Sequence, residues 1–251
     1  MSWFETFFPW IGLVAAIMLL ALMFGTDALR GDLSVSRWRD LVWLSWAAAV
    51  AYLLHNVEEY GIDLWGQIYA FPGDACAIFG HLPYPDCPVP PLFFVAVNVP
   101  MFWFVGPVAA LLSRRHPLVG LSLYGVIFVN ALVHVIAGLA TGAIYNPGWL
   151  TAVFIFLPLC AWVASTLFGE NDLSYRALAF LVGCGVVVHL VLAGSVVLLM
   201  RGVLGDPRPA ELAQLVNAVL LLLAPWLAER WRGGAILRPR GSPATAAALS
   251  R

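Results

Sequence analysis

Seven stretches of this chain are apolar for long enough to cross roughly 30 Å of hydrocarbon. Every other reading has to satisfy that constraint. The stretches run approximately 6–25, 41–59, 92–113, 118–141, 148–168, 177–200 and 212–228. Inside lipid each backbone N–H and C=O must find its partner within the segment, which makes helix the form for spans of this length. The sequence therefore predicts an all-α, polytopic membrane bundle of seven transmembrane helices forming one domain, 1–232. A cytoplasmic tail, 233–251, rich in Ala, Pro, Arg and Ser, is expected to be disordered. A mean hydropathy of +0.88 and a charged fraction of only 11% exclude an ordinary soluble domain. No internal repeat is visible. The first apolar run is too long for a secretory h-region and nothing basic precedes it, so it is expected to be retained as a span.

Charge placement orients the bundle. The chain has 13 basic residues, all of them arginine. With the N-terminus outside, the inner segments carry Arg30, Arg37, Arg39, Arg114, Arg115, Arg176, Arg230, Arg232, Arg238, Arg240 and Arg251, and the outer segments carry only Arg201 and Arg208. That asymmetry predicts N-terminus out and C-terminus in, in a plasma or inner membrane. A net charge of −1 gives no footing for a nucleic-acid role. Trp3, Trp10, Trp38, Trp43, Trp149, Trp226 and Trp231 fall near span ends and read as interface anchors.

The longest connection, 60–91, falls outside in this topology. It contains six prolines and no arginine. Its charges are Asp63, Asp74 and Asp86, and His81 is its one imidazole. Trp65, Ile68, Tyr69, Phe71, Ile78 and Phe79 make it too apolar for a solvated linker, so it is expected to fold back as a lid over the outer mouth of the bundle. Cys76 and Cys87 in this loop are disulfide candidates, the alternative being two free thiols under the lid. Cys160 and Cys184 lie within spans and read as small buried hydrophobes.

The second span ends in His55-Asn-Val-Glu58-Glu59. Two acids and an imidazole within about one helical turn are costly to place in or beside a bilayer; one acid at the membrane centre costs roughly 2.5–3.5 kcal/mol on insertion scales. Such residues need partners at matching depth. On a helix, residues three and four apart share a face, so His55, Glu58 and Glu59 are expected to point together. At the helical rise, His55 lies roughly 7 Å below the outer end of its span, Asn98 of the third span roughly 9 Å below, and His134 of the fourth roughly 12 Å below, with Asn130 one turn deeper on the same face as His134. His189 and Asn217 are further candidates, His189 lying deeper in the bundle. Imidazole and carboxylate from neighbouring helices can hold a divalent metal in a bundle core. The expected ligands are His55, Glu59 and His134, around zinc or ferrous iron. Glu58 is then the catalytic acid/base, and Asn98 and Asn130 are supporting residues. Two other readings stand beside it: a metal-free proton relay or polar substrate pocket, and two glutamates capping the span in the headgroup layer with His55 bonded to a backbone carbonyl. The turn Tyr145-Asn146-Pro147-Gly148, on the outer side of His134, reads as a plain turn that could line the mouth.

His55-x-x-Glu58-Glu59 followed two spans later by Asn130-x-x-x-His134 resembles the HXXEE-domain family of multi-pass membrane proteins, over about residues 45–165. The resemblance implies His55, Glu58, Glu59, Asn130 and His134 as functional residues and supplies no substrate. A looser analogy to seven-span zinc hydrolases of the alkaline-ceramidase type departs at the ligands, because no His-x-x-x-His pair occurs near this C-terminus. The resulting expectation is a metal-dependent membrane enzyme, a hydrolase or other proton-transfer catalyst, acting on an amphipathic or apolar small molecule from the extracytoplasmic side. A transporter or proton-coupled permease and an accessory or sensor subunit are the alternatives from other classes.

Overall fold

The computed structural model describes residues 1–82, 84–169 and 173–236. The expected tail lies outside them from 237 onward. Its first four residues do not: the last helix runs on to Ile236. Helix α1 spans Trp3–Gly25. Helix α2 spans Leu41–Asn56 and continues as a π turn over Val57–Gly61. The short α3 is Ala70–Ile78. The remaining long helices are α4 (Pro91–Leu112), α5 (Pro117–Thr141), α6 (Trp149–Leu167), α7 (Tyr175–Met200) and α8 (Arg208–Ile236). Among the described residues there are two isolated β-bridges and no strand.

Six of these helices, α1 and α4 through α8, are long and apolar enough to cross a membrane. Helix α2 is not among them, although the sequence marks it as a span. The reason is local: its far end carries His55, Asn56, Glu58 and Glu59, all buried. Trp43, Leu44, Ala48, Ala49, Val50 and Leu53 of the same helix lie in the main apolar core. It is the central helix of the bundle, apolar outside its last turns and tolerating polar side chains there because neighbouring helices surround them.

Three carboxylates tie helix starts to the body. Asp40 caps α2 by accepting from the Trp43 N–H at 3.0 Å, and it also gathers the N–H groups of Gly31 and Asp32 at 2.8 and 2.7 Å. Glu229 of α8 accepts from the Leu118 N–H at the start of α5 at 2.6 Å and meets His116 Nδ1 at 2.8 Å. Glu58 does the same for α6. In each case an anion meets unpaired N–H groups at the positive end of a helix dipole. Trp43, expected as an interface anchor, is instead 2% exposed, and its indole N–H donates to the Met23 carbonyl at 3.0 Å. Trp3, Trp38 and Trp231 are exposed, as anchors require.

The long connection after α2 folds over one end of the bundle. Cys76 and Cys87 are joined in a disulfide, buried in a second apolar cluster with Phe8, Tyr60, Tyr69, Phe93 and Phe94. His81 Nε2 meets the Met200 carbonyl at 2.9 Å, which ties the connection to the end of α7. Cys160 and Cys184 are free and half-buried.

Helices α5 and α7 cross at backbone contact. A Cβ on Gly125 would stand 1.9 Å from the Leu181 carbonyl oxygen, and one on Gly185 would stand 2.1 Å from the carbonyl oxygen of Gly125. Small residues at such a crossing let two helices approach without side chains between them. Gly185→Val is therefore expected to lower stability in detergent by about 1–3 kcal/mol. Gly183→Val, two residues away in open space, should change it little. Thermal unfolding of the two variants side by side checks this.

Candidate metal centre

The polar end of α2 meets α5 and the start of α6. His55 Nε2 lies 3.3 Å from Glu59 Oε1, and His134 Nε2 lies 3.2 Å from the same oxygen. The ligand atoms of the three residues all fall within 4.8 Å of one another. Their side chains are shut off from solvent, at 0%, 2% and 3% exposed for His55, Glu59 and His134. The two imidazole rings stand 5.1 Å apart, nearly perpendicular. Phe71 of the long connection closes over His134 at 6.0 Å, and Phe156 packs on His55 at 4.7 Å.

The hydrogen bonds behind the rings fix which nitrogen carries the proton. Asn146 donates its Nδ2 to the His134 carbonyl at 2.9 Å, which orients the amide so that its Oδ1 faces His134 Nδ1 at 2.7 Å. An amide oxygen only accepts, so His134 is protonated on Nδ1. The His55 side follows the same logic through one more group. Glu58 accepts from the N–H groups of Leu150 and Thr151 at 2.9 and 2.8 Å. Thr151 Oγ1, 2.7 Å from Glu58 Oε2, gives its single proton to that carboxylate. It can then only accept from His55 Nδ1, 2.7 Å away. In their neutral forms both imidazoles therefore turn a bare Nε2 lone pair toward a carboxylate oxygen. His55 Nε2 faces Glu59 Oε1 without a well-formed hydrogen bond. Three such acceptors buried together call for a cation among them, either a metal ion or a proton that turns one imidazole into a donor to Glu59.

A metal ion fits this donor set. For tetrahedral zinc with bonds of roughly 2.0–2.1 Å, ligand atoms stand about 3.3 Å apart, and both measured His–Glu separations match. Each Nδ1–H is held by an oxygen, the usual way a ligating histidine is oriented.

The two glutamates part company. Glu59, four residues from His55, stacks over it, whereas Glu58 swings toward α6. Adjacent residues on a helix point about 100° apart, so the two carboxylates diverge on either side of His55; the turn that carries them is π rather than α, with the Ile62 N–H reaching back to the Val57 carbonyl at 2.8 Å. Helices α4 and α6 also contain π segments, Val99–Val105 and Ala152–Phe156, near Pro100, Pro107 and Pro158, which cannot donate to a regular ladder.

Of the other candidates, Asn130 donates to the Tyr52 hydroxyl at 3.2 Å, and the Tyr52 ring stands 5.3 Å from the His55 ring. Asn98 donates to the Phe94 carbonyl of its own helix at 2.9 Å. His189 bonds the Gly185 carbonyl of its own helix at 2.8 Å, and Asn217 of α8 bonds the Val188 carbonyl of α7 at 3.1 Å, so neither is engaged in the trio. Three participants were not singled out from sequence: Thr151, Asn146 and Gly148. Asn146 and Gly148 belong to the turn expected only to line the mouth. Gly148 has φ +97°, and a Cβ there would meet His134 Cε1 at 2.5 Å and His55 Cε1 at 2.8 Å. The turn lies directly on both rings.

The paired motifs and the merged geometry agree with the comparison to known families: residues 46–163 match the family described as a protein of unknown function with HXXEE motif. This stretch, a little under half of the chain, is similar to the HXXEE family. The matched segment contains all three converging residues together with Glu58, Asn146 and Thr151. No curated protein matches the chain, and no solved structure does.

Gly148→Ala is expected to displace both imidazoles, since left-handed backbone and steric overlap act together, with a loss of about 1–3 kcal/mol. Thermal unfolding and histidine NMR line positions measure the two effects separately.

Proposed function

We propose that this protein is a metal-dependent membrane enzyme whose centre is His55, Glu59 and His134. The observation that carries the reading is the convergence of two Nε2 lone pairs and one carboxylate in a water-excluded pocket, each imidazole locked from behind in the ligating tautomer. Three protein ligands suit a catalytic site, which keeps a coordination position open, better than a structural site, which closes with four. When bound there, a divalent ion, zinc or ferrous iron, supplies Lewis acidity and an acidified water.

The chain's own groups have distinct parts in this reading. His55, Glu59 and His134 bind. Asn146 and Thr151 hold the rings. Glu58, expected from sequence to be the acid/base, is better suited to positioning. Its carboxylate receives Leu150 N–H, Thr151 N–H and Thr151 O–H and also the Tyr145 hydroxyl, which leaves it little freedom to take a further proton. Through Thr151 it sets the tautomer of His55. We place this centre in the outer half of a seven-helix membrane bundle, with α2 as the additional crossing, the connection after α2 as its lid, and the N-terminus outside. The support is the arginine asymmetry together with Met1, which lies at the same end as the lid residues Asp63 and Tyr69. An amphipathic substrate suits a centre within reach of lipid. A transporter reading has less support, because the polar convergence sits at one end of the bundle.

Purified wild-type protein is expected to hold about one equivalent of metal by elemental analysis, and His134→Ala and Glu59→Gln next to none. Thr151→Val should weaken retention roughly 10–100-fold and Thr151→Ser much less, because only the hydroxyl relay is at issue. Acidification should release the ion, since the ligands bind only when deprotonated. Metal-free wild-type protein from metal-replete medium would remove the basis of the proposal.

A further inference from the structure

A cavity of about 680 Å³ opens beside the metal centre, on the side of the long connection. This is within the size range of small-molecule sites. Its walls include four aromatic rings, Trp65, Tyr69, Tyr84 and Tyr145, and two carboxylates, Asp63 and Asp74, with the Met1 α-ammonium as the one cationic group among the lining residues and no lysine, arginine or histidine side chain. Trp65 is 70% exposed, so its ring is available to a ligand rather than packed away.

The local chain is built to present these groups. Ile62 bridges Ile68 across a tight turn. Asp63 Oδ1 accepts from the N–H groups of Trp65 and Gln67 at 2.9 and 2.7 Å, which anchors the aspartate at the cavity wall. Tyr69 has φ +58°, unlike every other described residue apart from glycines; such strain persists where the surroundings enforce it, often at ligand sites. The Asp74 carboxyl is held above the ordinary carboxylate range by burial and by the charge of Asp63. Two acids near each other with no basic side chain in the lining favour a positively charged guest. Aromatic faces select an organic cation over a hard metal ion, since the ring quadrupole attracts a diffuse ammonium, whereas calcium or magnesium demands more oxygen ligands than two carboxylates offer.

We propose that this cavity binds an organic ammonium group, held by Asp63 and Asp74 and walled by Trp65, Tyr69, Tyr84 and Tyr145. The cavity wall touches the metal centre at two points. Asn146, part of the lining, bonds His134 at 2.7 Å. Tyr145 accepts from the Leu64 N–H at 2.8 Å and donates to Glu58, which leads through Thr151 to His55. An ammonium-bearing molecule seated here would place its neighbouring atoms toward the centre, so the substrate class becomes an amine or quaternary-ammonium compound. That second step rests on the metal-enzyme reading; the binding site itself does not.

The test is a titration of the full-length protein in neutral detergent with choline and with its uncharged carbon isostere 3,3-dimethylbutanol, followed by tryptophan fluorescence and calorimetry. Choline is expected to bind at least tenfold more tightly than the isostere. The Asp63→Asn, Asp74→Asn double variant should lose at least tenfold in choline affinity while the isostere is unaffected, and Trp65→Ala should lose the fluorescence response. Equal binding of the two compounds, or choline affinity unchanged in the double variant, would overturn the proposal. Reconstitution into phosphatidylcholine or phosphatidylglycerol nanodiscs separates the sources: suppression of choline binding only by phosphatidylcholine identifies a lipid headgroup, no suppression identifies a free amine, and either result supports the site. Metal-free wild-type protein that still prefers choline would remove the metal reading alone, and metal-loaded protein with no preference would remove this one alone.

Discussion

A single carboxylate oxygen, Glu59 Oε1, shared between two imidazole nitrogens at 3.3 and 3.2 Å, organises this protein. Burying that oxygen without a cation is unfavourable, and everything around it can be understood as the arrangement that makes its burial tolerable. Helix α2 must sit at the centre, because only there do other helices surround its polar end. Glu58 and Glu59, adjacent on the turn, must diverge, so that one faces the imidazoles and the other the start of α6. The turn before α6 must contain Gly148, because a side chain at that place would occupy the space of the rings.

The same device recurs at two scales. At helix starts, Asp40, Glu58 and Glu229 each neutralise unpaired N–H groups, Asp40 on its own helix and the two glutamates on a helix elsewhere in the fold, which fixes how the helices enter the bundle. Glu58 does this and also passes its orientation through a hydroxyl to His55. The cap of α6 and the chemistry of the centre are therefore mechanically one object, and a disturbance at the helix start reaches the ligand ring through two hydrogen bonds.

Much of this was legible in the residues. Hydropathy yielded the helices, because lipid leaves the backbone no other option. Depth counting along three helices brought His55 and His134 to one level, and i,i+4 stacking put Glu59 on His55. Spacing put Glu58 and Glu59 on one face with His55, but adjacent residues diverge by about 100°, and Glu58 meets the start of α6 instead. Thr151 carried no signal, being one hydroxyl in an apolar span whose partners lie 93–96 residues away in sequence. Asn146 and Gly148 looked like turn residues because they are turn residues; their contacts with the imidazoles depend on how α5 and α6 pack. His189 and Asn217 stand apart from the trio: His189 bonds the Gly185 carbonyl one turn back in α7, and Asn217 of α8 bonds the Val188 carbonyl of α7. Window hydropathy likewise passes over α2 for the very residues that make it central.

X-ray absorption spectroscopy at the metal edge, on purified wild-type protein, tests the central claim most directly. The account predicts one ion with two imidazole nitrogens and carboxylate or water oxygens at about 2.0–2.2 Å, and loss of one imidazole from the shell in His55→Ala. An edge with no protein-bound ion, or a shell lacking imidazole, would contradict it.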